Sequence, residues 1–169
     1  MPIIAADIKR YLSGGAANAD PNASLGGARS SVEVVDATIG NLFDNIDSTE
    51  ATAGDTEYRC LYIKNTHATL TLQAAKIWIQ TNTPSADTAI RIGLGTAAIN
   101  ATEQTVADES TAPSGVTFST AVNEAAALVI GDLIAGAHKA IWYERVVGAA
   151  AAAYNADSVT VRIKGDTAA

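Results

Sequence analysis

Glu57-Tyr58-Arg59-Cys60-Leu61-Tyr62-Ile63-Lys64, stopped by Asn65-Thr66-His67, is the stretch on which the fold reading turns. Aromatic and β-branched side chains fit a pleated surface, and an Asn-Thr cluster is turn chemistry, so the segment predicts a strand. The same pattern recurs downstream. Leu70-Thr71-Leu72 and Lys76-Ile77-Trp78-Ile79-Gln80 follow, and Asn82-Thr83-Pro84-Ser85 breaks the run. In Ala89–Leu94 the residues Ile90, Ile92 and Leu94 alternate onto one face; in Ser158–Lys164 the residues Val159, Val161 and Ile163 do the same. Leu128-Val129-Ile130, ending at Gly131-Asp132, and His138–Val147 complete a set of about seven short strands with turn signals every ~8–15 residues. No helix-length periodic segments alternate with them. The expected fold is all-β, an antiparallel β-sandwich of the Ig-like or a related kind.

Composition narrows the function classes. Of 169 residues 48% are hydrophobic, but much of that is alanine, and Leu, Lys and Glu are too sparse for a helical bundle. The net charge is −7, and the eleven basic residues are scattered, which disfavours a nucleic-acid partner because phosphate binding needs clustered Lys and Arg. No window approaches the ~18–20 apolar residues of a membrane span, and the N-terminus has no basic leader, so synthesis in the cytoplasm without export is expected.

Residues 1–31 differ from the remainder. Ser13-Gly14-Gly15, Asp20-Pro21-Asn22 and Gly26-Gly27 are turn punctuators with few anchors between them. Ile4, Ile8, Tyr11 and Leu12 fit one helical face and equally a short strand. Such a segment either lies along its own domain or reaches onto a neighbour. The expected division is an extended N-terminal arm at 1–31 and a sandwich at 32–169. Ile4, Ile8, Tyr11, Leu12 and Leu25 are the expected partner-binding residues of the arm. Within 32–46 the first part reads as extended and the remainder as loop or strand, and Ser48–Thr56 reads as loop.

Chemistry-bearing residues are few and isolated. His67 lies in a turn and His138 opens a strand, neither with a metal ligand at suitable spacing. Cys60 is centred in its strand with no base nearby, which reads as a buried core thiol. Asp44 and Asp47, Asp55 and Glu57, and Asp108 and Glu109 form short acidic sets; Asp44-Asn45-Ile46-Asp47 matches a calcium loop only in part, so solvated loop charge is the expected role. Neither a Gly-x-Ser-x-Gly elbow nor a phosphate loop occurs. The reading is a non-enzyme with no catalytic residues, cofactor or metal. Tyr58, Tyr62, Trp78, Trp142 and Tyr143 could form a carbohydrate-stacking platform, but aromatic residues on central strands usually pack, and core is the expected place for them.

Several of these segments also resemble small virion structural proteins of tailed bacteriophages. They are Ala53–Thr66, Lys76-Ile77-Trp78-Ile79 with Asn82–Thr88, the opening Ile8–Gly15, and Gly131-Asp132-Leu133 with Lys139-Ala140-Ile141-Trp142. The resemblance implies a particle component, first a capsid decoration (cement) protein on the head surface. Proteins of that kind often combine a β-sandwich with an extended arm and commonly sit as trimers where capsomers meet. The partners it implies are the major capsid protein and copies of the chain itself, with no nucleic acid and no membrane. A tail, fibre or head–tail joining component is the alternative within the same kind of particle. A carbohydrate-binding module is the alternative outside it.

Overall fold

The structure, a computed structural model, describes residues 2–167. Nine strands are present among them: β1 (Ile8–Leu12), β2 (Gly26–Gly27), β3 (Asp55–Asn65), β4 (Leu72–Thr81), β5 (Thr88–Leu94), β6 (Glu103–Thr105), β7 (Leu128–Leu133), β8 (His138–Val147) and β9 (Thr160–Thr167). Every pairing is antiparallel. One sheet has the order β1-β3-β8-β5, a second β7-β4-β9, and a short ribbon joins β2 to β6. The two larger sheets pack as the expected β-sandwich. Among the described residues no helix is long and apolar enough to cross a membrane.

Alternation sets the layers. On the four-stranded sheet Leu12, Leu61, Ile63, Ile90, Ile92, Ile141 and Tyr143 turn inward, and Leu72, Ala75, Ile77, Ile79, Ile130 and Leu133 of the other sheet meet them. The opposite face of the four-stranded sheet is buried as well. Tyr58, Cys60, Tyr62, Ala140 and Trp142 form a second cluster there, covered by Tyr11, Val106, Val116 and Phe118. A third layer, built from the β2–β6 ribbon and the 106–118 segment, therefore lies over the sandwich. Its approach is close enough that a Cβ on Gly93 would stand 2.9 Å from the backbone oxygen of Thr117. Trp142 thus packs under the third layer, outside the inter-sheet core. Trp78, on the opposite face of β4 from Ile77 and Ile79, is also buried.

Residues 2–31 lie along their own domain. β1 pairs in register with the end of β3, from Ile8 opposite Asn65 to Leu12 opposite Leu61. The chain then folds back, so that Leu12 N–H donates to Val32 O at 3.1 Å and Val34 N–H to Arg10 O at 2.8 Å, covering the outer edge of β1. Beyond Leu12, the carbonyls of Ser24 and Glu109 accept from Cys60 N–H and Tyr58 N–H, both at 2.7 Å, where β1 no longer reaches. The expected boundary at residue 31 is thus not a division in the structure. The reason is geometric: a strand period places Ile8 and Leu12 on the same inward face, which the inter-sheet core claims.

Two local readings also change. Residues 48–53 form a helical turn, α1 (Ser48–Ala53), because Asp47 caps the N–H groups of Thr49 and Glu50 while Glu50 accepts from Asp47 N–H. Gly131-Asp132 is no turn; β7 runs through it to Leu133, and Gly131, at φ +93°, sits where the register with β4 shifts.

Because Leu12 is a core residue at 3% exposure, Leu12→Ala should cost about 2–5 kcal/mol of stability in denaturant unfolding. A loss below about 1 kcal/mol would mean that the N-terminal strand is dispensable to the core.

Candidate functional site

The inner face of the four-stranded sheet changes character at one end. Along β3 the inward series runs Ile63, Leu61, Arg59, Glu57, and Glu57 stands directly across from Arg145 on β8. Glu57 and Arg59 are fully buried and Arg145 nearly so. Arg145 grips Glu57 through Nε and Nη2 and donates from Nη1 to Asp44 O at 2.6 Å. Arg59 Nη2 bonds Glu109, reaches Asn22 Oδ1 at 3.4 Å, and lies 3.9 Å from both Asp44 and Glu57. Phe43 covers the pair, its ring centre 4.8 Å from the Arg145 guanidinium and 5.5 Å from that of Arg59. Burial pushes the Glu57 carboxyl above its usual range, and the two arginines act against that shift.

This charged end forms part of the wall of a cleft of about 990 Å³ that opens between the sheets. Leu61, Ile90 and Tyr143 line it from one sheet, Val159 and Val161 from the other, and Arg145 from the charged end. Its rims are two irregular segments, 36–48 and 151–158. Ile39 stands on one rim at 85% exposure and Tyr154 on the other at 54%, with Val35 exposed beside them. The rim alanines Ala37 and Ala156, and Ala150 just before the second rim, hold φ between +56° and +59°.

The residues expected to contact a partner take different places. Leu12 is core. Ile8 is half-buried against the inter-sheet cluster, and Leu25 is half-buried with its carbonyl accepting from Val106 N–H at 3.0 Å. Tyr11 is half-buried between Arg29 and Lys64, 4.8 Å and 6.0 Å from its ring centre. Ile4 alone of the five is exposed. The rim residues Ile39 and Tyr154 are not among the expected partner-binding residues; Ile39 falls where the sequence reads as loop or strand, and an apolar side chain in an irregular segment is the one signal that marks either.

The remaining chemistry-bearing groups are occupied structurally. Cys60 is fully buried, and burial raises its thiol above the usual range. His67 Nδ1 accepts from the N–H groups of Thr69 and Leu70 and so shapes its own turn. His138 packs edge-on to Tyr62 at 5.2 Å. The five strand aromatics Tyr58, Tyr62, Trp78, Trp142 and Tyr143 are all buried, so they present no stacking platform. Comparison of the chain with protein-family models, curated proteins and solved structures yields no match.

Two outcomes follow from these groups. Arg145→Met should destabilise by about 3–5 kcal/mol, since the buried Glu57 carboxyl loses the partner that holds its Oε2, and Glu57→Leu in the same chain should recover much of that loss. Additive losses in the double-mutant cycle would show that the pair is not coupled. His138 titrates below the ordinary value of 6.5 because burial disfavours its charged form. The unfolded chain therefore takes up the proton first: the contribution is complete above about 6.5 and is lost as pH falls through the folded value. Melting temperature should then drop between pH 7.5 and 5 more steeply in the wild type than in His138→Gln; equal slopes would exclude the assignment.

Proposed function

We propose that this chain is a non-catalytic virion structural protein of a tailed phage, a capsid decoration protein that docks through the rims of its cleft. The observation that carries the reading is the pair of exposed apolar side chains, Ile39 and Tyr154, one on each of the two segments that border the cleft, with Val35 exposed just before the first segment. Exposed apolar groups gathered at one mouth are what a protein-binding surface requires, with aromatic anchors at its centre. The charged groups behind them are already paired within the chain, so docking need not leave a buried charge without a partner. The resemblance to phage virion proteins supplies the particle. On this reading the partners are the major capsid protein and further copies of the chain, and the location is the outer surface of the head.

Purified protein added to undecorated heads should bind saturably and at fixed stoichiometry. Ile39→Asp combined with Tyr154→Ser should weaken that binding by about tenfold or more while the melting temperature stays within ~2 °C. Failure of the wild-type protein to bind heads would overturn the decoration reading. Undiminished binding of the double variant would move the docking surface off the cleft.

A further inference from the structure

On β4 the inward residues Ile77 and Ile79 are buried, yet Val161, which pairs with Ile79 on the neighbouring β9, is only half-buried. The packing between the sheets runs out there, and the cleft begins. Its interior is apolar, walled by Leu61, Ile90, Val159 and Val161 and by Leu42 and Phe43 of the 36–48 segment. At about 990 Å³ it matches the upper range of small-molecule sites, which run from about 300 to 1,000 Å³.

One buried polar group in this interior has no partner. Tyr143 is 2% exposed and lines the cleft, and its hydroxyl makes no hydrogen bond among the described residues. The tyrosines buried on β3 both use theirs: Tyr58 donates to Glu144 Oε1 at 3.2 Å and Tyr62 to Gly27 O at 2.6 Å. So do Thr83 and Thr88 of the lining, the first donating to Thr88 O at 2.7 Å and the second to Asp157. A buried tyrosine hydroxyl ordinarily finds an acceptor, because leaving it unpaired forfeits the hydrogen bond that water made. Trp142 Nε1 is sealed in the protein without one, whereas the Tyr143 hydroxyl is open to the cleft.

We propose that the cleft interior binds an uncharged, largely apolar small molecule bearing a carbonyl or similar acceptor, to which the Tyr143 hydroxyl donates. Tyr143 is held within the four-stranded sheet, opposite Arg59 on β3 and Ile92 on β5, so the donor is fixed in place before a ligand arrives. Burial pushes the hydroxyl up to about 12, which keeps it a donor throughout the neutral range. Charge sets the class of ligand. Arg10 and Arg145 are the cations of the lining, and both are engaged, Arg10 by Asp36 and Arg145 by Glu57. An anion would find no free cation and would face the carboxylates of Asp36, Asp44, Asp47 and Asp157. The site lies inside the cleft and does not depend on whether the rims dock a partner.

The test titrates the full chain with prodan, an uncharged naphthalene ketone. Its emission moves to the blue in apolar surroundings and back toward the red when its carbonyl accepts a hydrogen bond. Prodan should bind saturably at one per chain, and the anionic dye anilinonaphthalene sulfonate at least about tenfold more weakly. Tyr143→Phe keeps the ring, and it should weaken prodan by about three- to tenfold and move the bound emission further to the blue. Val161→Trp, which fills the cleft from its half-buried side, should abolish binding. Val129→Ser, at an exposed position on the outer face of β7, should leave it unchanged. Absence of saturable prodan binding to the wild-type chain overturns the proposal, as does binding that survives Val161→Trp or that Val129→Ser weakens equally. Affinity and colour both indifferent to Tyr143→Phe would overturn the assigned donor, and equal binding of the anionic dye would overturn the uncharged class.

Discussion

A strand covered on both faces has no water to satisfy its polar groups, and β3 is such a strand. From Glu57 to Ile63 every residue is buried, and each backbone or side-chain polar group must find its partner inside the protein. β8 takes one edge along its whole length. β1 takes only the far half of the other, and Ser24 and Glu109 supply carbonyls for the rest. Tyr62 reaches out of the sheet to donate to Gly27 O at 2.6 Å while its oxygen accepts from Glu103 N–H at 2.9 Å, which ties β2 to β6. Segments far apart in the chain are thus drawn over one strand by its need for partners.

The same demand explains why charge lies inside. At the end of β3 the inward positions fall to Glu57 and Arg59, and burial there is tolerable because Arg145 is directly opposite and Glu109 and Asp44 close the set. Replacing such a network with apolar side chains is often neutral for stability, so its presence is better understood through what it shapes, the wall of a cleft.

Much of the sandwich was legible because one-faced strands announce themselves. Ile90, Ile92 and Leu94 alternate, as do Val159, Val161 and Ile163, and both sets face the core. The third layer was not legible, because Tyr58, Cys60 and Tyr62 alternate with Leu61 and Ile63 and all five read as apolar; nothing local says that both faces are covered. β1 was obscured by its brevity, since five residues satisfy a helical and an extended period alike. α1 did leave a signal, Asp47 followed three residues later by Glu50, within a stretch whose small polar residues otherwise suggest loop. The acidic sets were visible as separate pairs, but Asp44, Glu57, Glu109 and Arg145 meet only through pairings spanning up to 101 residues.

The cleft rims carry alanine where glycine would be conformationally easiest. Ala37 and Ala156 there, and Ala150 just before the second rim, hold left-handed backbone at a cost of order 1 kcal/mol each, which persists only where the surroundings dictate the conformation. A methyl group at those positions removes most of the alternatives that glycine would allow, in the free protein as in any bound one. On the proposed docking reading, the rims would meet a partner already shaped, with the loss of loop entropy that usually weakens association through irregular segments met during folding.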